Sequence, residues 1–350
     1  MRNRLSQVLR WTSLVCVTLA MTIGAGIQRG QAQPECDTTV SPGELIQHSI
    51  NVASPGAIVC LGSGVFPEAL EIRKSITLRG AGQERTYLEM PSSLGTAIVN
   101  IEADGEIQVQ IEELTVTSTL SVPTVGMNIS GKSRVTLKDV RVCDVSQGVV
   151  TNGLAQVQLR DSLVCRNLIA LLAKGVSQTN LLNSPLTSNN FGVDAKESSQ
   201  VVVTNSAVQY NRIGFLVSDS ATVVLHTAQV SNNGVSGLVL IESSTVQMQD
   251  STISDNGFLR ECRVEFCNGV ELNGRAQLIV ADSIVVSNTD WGIGSALIQC
   301  GYAEDAFTGS VVFKGHNIIE GNNKLGKHDG AGNPGNHIFK NGASGQVCVP

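Results

Sequence analysis

Aromatic side chains are scarce in this 350-residue sequence, at 4%, and charged ones reach only 15%. A core built on stacked rings is therefore excluded, and Val, Ile, Leu and Ala must supply the packing within the 42% hydrophobic content. Prolines number nine against 35 glycines, which suggests many tight turns. Beyond the first 32 residues no segment approaches the roughly 20 apolar residues needed to cross a bilayer. The cysteines show neither a zinc-ribbon spacing nor a redox CxxC, so metal ligation is the weaker account of them.

What is present begins with an export signal. In "MRNRLSQVLRWTSLVCVTLAMTIGAG", Arg2, Arg4 and Arg10 precede an apolar run from Leu14 to Ile27, and "GQA" at Gly30–Ala32 offers small residues for cleavage. Residues 1–32 read as a cleaved secretory signal, with an uncleaved anchor as the rival, and the chain is expected to be secreted, periplasmic or at the cell surface. Cleavage would remove four of the 24 basic residues and none of the 30 acidic ones, so the balance of 20 against 30 becomes −10. Such a surface repels nucleic acid and anionic lipid. Eight cysteines follow the signal, and an even number in an oxidising compartment favours disulfides.

The strongest signal is a repeat. The pairs Asp139/Val145, Asp161/Asn167, Asn183/Asn189, Asn205/Asn211, Thr227/Asn233 and Asp250/Asn256 recur at steps of 22, 22, 22, 22 and 23 residues, and Asp282/Asn288 follows after 32. Short strand-like segments such as "VTLK", "VQLR", "VVVT" and "VQMQ" precede each pair, and no helical period appears. A unit this short cannot close a core alone and must stack on its neighbours. The geometry that fits is an all-β, single-stranded parallel β-helix with about 22 residues per coil and equivalent residues ~4.8 Å apart along the axis. Leucine-rich repeats have a similar length but need a Leu and Asn scaffold that is absent here. The Asn and Asp columns are then turn residues, which tolerate left-handed backbone and whose amides can bond up the column.

The segment "SPGELIQHSINVASPGAIVCLGSGVFPEALEIRKSITLRGAGQERTYLE" (Ser41 to Glu89) resembles the entry segment of right-handed parallel β-helix proteins of the pectin-lyase-like superfamily. The later coils resemble that fold's generic "…[ND]-S…x-N-x-x-G" repeat, so the likeness extends over most of residues 41–325 and implies architecture more than activity. Within the entry segment, Ser41, Pro42, Gly43 and Glu44 read as a capping box opening a helix over 41–53, with Leu45, Ile46, Ser49 and Ile50 on one face. Coils are expected over 57–325 and a Gly-rich closing segment over 326–350. Position in the stack pairs Cys36 with Cys60, Cys143 with Cys165, Cys262 with Cys267 and Cys300 with Cys348, although Cys143 and Cys165 read nearly as well as two stacked thiols.

Chemistry is harder to find. Pectate-lyase-like enzymes of this fold hold calcium with acidic residues beside an Arg or Lys base, and Asp139 and Asp161 are the nearest candidates here. Their column continues as Asn, Asn and Thr, which favours turn bonding. "NTD" at Asn288–Asp290 and "GHN" at Gly315–Asn317 lack the partners a polygalacturonase-type hydrolase needs, and an epimerase-like "DPHD" is missing. "GVFPE" at Gly64–Glu68 looks like part of a pectin-esterase motif, and reads better as a fold marker. The five histidines, His48, His226, His316, His328 and His337, match no ligand motif.

Two consecutive coils carry insertions of about ten residues after Asn256 and Asn288, so both should leave the same edge and touch. They concentrate Arg260, Arg263, Glu265, Asp290, Trp291, Tyr302, Glu304 and Asp305. Arg260, Arg263, Asp290, Trp291 and Tyr302 are the candidate ligand-binding residues, with Trp291 and Tyr302 stacking on sugar rings; Trp291 packing beneath the loops is the alternative. No catalytic residue, metal site or cofactor is assigned, calcium entering only for a lyase. The expected function is a monomeric exported protein that binds polysaccharide or serves a structural role. A polysaccharide lyase or hydrolase is the alternative, and an accessory role in metalloenzyme maturation a third.

Overall fold

In a computed structural model, the described residues are 35–91, 97–120, 123–263, 267–294 and 307–324. Short strands follow one another around a triangular course, and each pairs in parallel with its counterpart one coil away. On the first face the register runs Gln156, Gln178, Gln200, Thr222 and Thr245. On the second, Val142, Val164, Leu186, Val208 and Val230 align, and on the third Val149, Leu171, Val193, Phe215 and Leu238. Two long strands, Ala97–Thr117 and Val125–Cys143, bend around the corners and contribute to all three faces. This is the parallel β-helix that the 22-residue step predicts.

Alternation explains the core. Every second strand residue points inward, so one interior column on the first face reads Val135, Val157, Thr179, Val201, Val223, Val246, Leu278 and Val311, each buried. A fully buried aliphatic side chain contributes roughly 1.5–3 kcal/mol relative to exposure, so stacking supplies the stability that a lone coil lacks.

The corner columns are as the repeat predicts. Asp139, Asp161, Asn183, Asn205, Thr227, Asp250 and Asp282 all have left-handed backbone, with φ between 47° and 52°. Their partners in each pair turn inward. From Asn167 through Asn189, Asn211, Asn233, Asn256 and Asn288 to Asn322, seven buried asparagines form a ladder. Asn233 shows the pattern: its Oδ1 accepts from the Asn211 backbone N–H at 3.0 Å, and its Nδ2 donates to the Val208 carbonyl at 3.1 Å and to Asn256 Oδ1 at 2.9 Å. The glycine in "N-x-x-G" makes room for this, since a Cβ on Gly214 would lie 2.4 Å from the Gly237 carbonyl and 3.0 Å from Asn233 Nδ2. A shorter ladder of Ser162, Ser184 and Ser206 caps backbone N–H groups beside it, and resumes at Ser251 and Ser283 after Ala228.

The entry helix differs from the sequence expectation. It spans Ile46–Val52, with Leu45 as its N-cap and no capping side chain from the preceding residues. Ser41 to Glu44 instead closes a separate turn, in which the Ser41 N–H donates to Glu44 at 2.6 Å. The helix is capped from a distance by Glu68, whose carboxylate accepts from the Ile46 and Gln47 N–H groups at 2.8 Å each. That gives the acid of "GVFPE" a structural role, and a Cβ on its Gly64 would strike Pro42 at 2.4 Å. Ile46 and Ile50 cover the first coil, whereas Leu45 is 66% exposed rather than on the packed face.

Three of the proposed disulfides are formed: Cys36–Cys60, Cys143–Cys165 and Cys262–Cys267. Cys143 and Cys165 are register neighbours on adjacent coils, 4.7 Å apart at Cα, which settles their bridge over two thiols. Cys300, Cys348, residues 1–32, where a signal is expected, and residues 326–350 lie outside the described residues.

Candidate functional site

The outward positions of the first face, read up the stack, change character. From Thr77 through Gln110, Thr136 and Gln158 to Asn180 they are polar; Val202 and Val224 follow. The polar half is concave, forming a groove of about 620 Å³ that also takes in Ser75, Gln108, Arg134 and Gln156. A second hollow of about 310 Å³ continues past Arg134 and Gln156 to Glu106 and Lys132. The five-coil floor is ~19 Å long at the ~4.8 Å strand spacing.

The hydrogen bonding of this groove is its informative property. Among the described residues, the side-chain amides of Gln108, Gln156, Gln158 and Asn180 bond to no protein group, and Arg134 meets only Glu106, at 3.9 Å. Gln110 is the exception, since its Nε2 donates to Glu112 Oε2 at 2.6 Å. Glu112 also accepts from Arg79 Nε, and the two are buried, at 4% and 8% exposure. The floor thus presents amides and hydroxyls, with charges confined to Arg134 and to the rim residues Glu106 and Lys132. Such a surface can bond to hydroxyls, carbonyls or a carboxylate along an extended ligand. Sequence reading missed this groove because the turn columns and the two insertions drew the search for chemistry away from the middle strand position that holds Gln110, Gln158 and Asn180. The available signal was polar residues alternating with apolar ones in "IQVQI" and "VQLR".

The insertions do touch. The Cys267 N–H donates to Asp290 Oδ2 at 2.8 Å, and the Thr289 hydroxyl donates to the Gly257 carbonyl at 2.7 Å. Their residues play a different part from the one the sequence suggested. Asp290 is fully buried and ties down the loop closed by Cys262–Cys267; Trp291, 1% exposed, belongs to the main core. A ring so enclosed offers no face to a sugar, so packing takes precedence over stacking at Trp291. Arg260 is exposed and opens the short 3-10 helix that ends at Arg263, while Tyr302, Glu265, Glu304 and Asp305 lie outside the described residues.

A family model described as "Right handed beta helix region" matches residues 125–259. Among solved structures, the A-module of the Azotobacter vinelandii mannuronan C-5 epimerase AlgE4 superposes with a TM-score of 0.57 at 16% identity, covering 84% of this chain and 94% of its own. An alginate lyase from Paenibacillus sp. str. FPU-7 gives 0.53 at 13% identity, covering 80% and 99%. Pectate lyase Pel9A gives 0.52 at 12% identity, covering 82% and 78%. The chain has the right-handed parallel β-helix fold that these proteins share. Identities this low establish the shared fold, and fold does not dictate activity. The search of curated proteins found no match.

Elsewhere the β-helix uses its polar columns for itself. Asp139 sits beside Asp161 in the left-handed turn column, and its carboxyl is held above its usual range by burial first, then by the Asp161, Glu113 and Glu112 charges, against the opposing pull of Lys138. Asp161 accepts from the Asn183 amide at 3.0 Å, which in turn accepts from Asn205 at 2.7 Å, so the column is a turn ladder. Among the described residues no group of three His, Cys, Asp or Glu side chains is arranged to hold a metal ion. Nor is any described helix long and apolar enough to cross a membrane. His316 donates its backbone N–H to Asp282 at 2.8 Å; His328 and His337 lie outside the described residues.

Proposed function

We propose that this protein is exported and binds a polysaccharide chain lengthwise in the amide groove, without cleaving it. The observation that carries the reading is the hydrogen-bonding capacity of Gln108, Gln156, Gln158 and Asn180 that the described residues leave unused, set in two neighbouring outward columns within four successive coils of one sheet. A linear polymer with repeating hydroxyls meets such a floor once per coil, and Arg134 supplies one cation for an acidic unit. Mannuronan, alginate and pectate, which appear in the names of the structurally similar proteins, supply the ligand class to test first. The three disulfides support export to an oxidising compartment.

Glu106, Lys132 and Arg134 at the groove's rim favour a second reading, a lyase or hydrolase, because they place an acid and a base beside the same channel. One experiment separates the two. The purified protein is run through affinity gels containing alginate, pectate or a neutral β-glucan, with and without calcium, while unsaturated products and reducing ends are followed. Retardation without products, reduced about fivefold by Arg134→Ala, supports binding. Products that vanish with Lys132→Ala make it an enzyme, and absence of both retardation and products overturns the groove as a polysaccharide site.

A further inference from the structure

The buried pair Arg79–Glu112 lies two residues along the strands from the floor residues Thr77 and Gln110 and has no obvious place in a stability argument. Removing two charges from water carries a large desolvation penalty, and a buried ion pair often stabilises less than apolar residues of the same volume. What the pair does locally is specific. The two Glu112 oxygens meet different partners: Oε1 accepts from Arg79 Nε and Oε2 from the Gln110 amide, at 2.6 Å in the latter case. A carboxylate beside Arg can only accept, so Gln110 must turn its NH₂ toward Glu112 and its Oε1 away from it.

Gln110 occupies the middle of the groove floor, between Thr77 and Thr136 in register. We infer that the Arg79–Glu112 pair is a positioning device that locks the Gln110 amide with its oxygen free for ligand, making this coil a reader of hydrogen-bond donors. The inference rests on the groove reading above. The side-chain amides of Gln108, Gln156, Gln158 and Asn180 have no partner among the described residues and can rotate to present either oxygen or nitrogen. Gln110 cannot, and a fixed acceptor rejects a ligand group that lacks a proton to give. The ligand unit at this coil therefore carries a free hydroxyl.

The test uses the full disulfide-bonded protein and two probes, alginate and alginate O-acetylated on its hydroxyls. Wild type should bind the acetylated polymer about tenfold more weakly in affinity gels. The double variant Arg79→Met/Glu112→Leu, which removes the charges at similar volume, should bring the two polymers within about twofold of each other. If that variant fails to fold, Glu112→Gln takes its place, since a second amide lets Gln110 face either way. Side-chain amide resonances of Gln110, assigned by comparison with Gln110→Ala, give a readout independent of any ligand: they should shift strongly and broaden in the variants. Undiminished discrimination in the variants, or unchanged Gln110 resonances, overturns the positioning role. Should wild type retain no alginate at all, the polysaccharide reading of the groove falls and the selectivity falls with it. The resonances would then still decide whether the pair fixes the amide.

Discussion

Seven asparagines inside the coil and the glutamines of the groove carry the same primary amide in opposite settings. Inside, every amide from Asn189 to Asn288 donates to a backbone carbonyl of the coil below and to the next amide oxygen in the ladder, and accepts from a neighbouring backbone N–H. Outside, the Gln156, Gln158 and Asn180 amides have no hydrogen-bond partner among the described residues. Burial explains the contrast. An unsatisfied amide in the core costs about 1–3 kcal/mol, so the interior column can exist only if complete, whereas water satisfies the exterior one until a ligand displaces it. The interior ladder therefore fixes the corner of each coil, and the exterior amides are left available for recognition.

Breaking the interior side of this contrast should have the largest effect. Asn233→Ala strips the Asn211 N–H of its acceptor and the Val208 carbonyl of a donor, and should cost about 3 kcal/mol, read from urea denaturation midpoints at unchanged m-value. On the exterior, Gln158→Ala should leave the midpoint within ~0.5 kcal/mol of wild type while weakening polysaccharide retention about fivefold. A comparable loss of stability there would erase the distinction between the two sets. The smallest effect is expected at the turn column, where Thr227, a β-branched residue at φ 52°, interrupts a run of Asn and Asp. Thr227→Asn should raise the midpoint by about 0.5–1 kcal/mol, because Asn adopts the left-handed region more readily and can extend the ladder from Asn205.

Much of the architecture was legible because a solenoid writes its geometry into sequence spacing. Asp161/Asn167 and its successors indicated coil length, the left-handed corner and an amide column bonded along its length, though not that this column lies inside the coil, and the 22-residue spacing of Cys143 and Cys165 placed them side by side. The entry helix was less legible. Its cap, Glu68, lies 22 residues beyond Ile46, and a local pattern such as Ser41 to Glu44 cannot reveal a partner so distant. At the insertions, the sequence showed that the two loops meet, and composition then misdirected attention to Trp291. An aromatic residue beside an irregular loop reads the same whether it covers the core or faces solvent, and only burial separates the two.

The sequence by itself determined the repeat, its step, and the residue types that turn each corner, since these depend on local backbone preference and on period. Tertiary structure alone decided which outward columns form a concave surface and which polar side chains remain without a protein partner. Thr77, Gln110, Thr136, Gln158 and Asn180 lie as many as 103 residues apart in the chain and become one floor only when the coils stack. Whether an amide binds its own fold or something else is settled by that stacking, because hydrogen-bond partners are assigned by proximity in space.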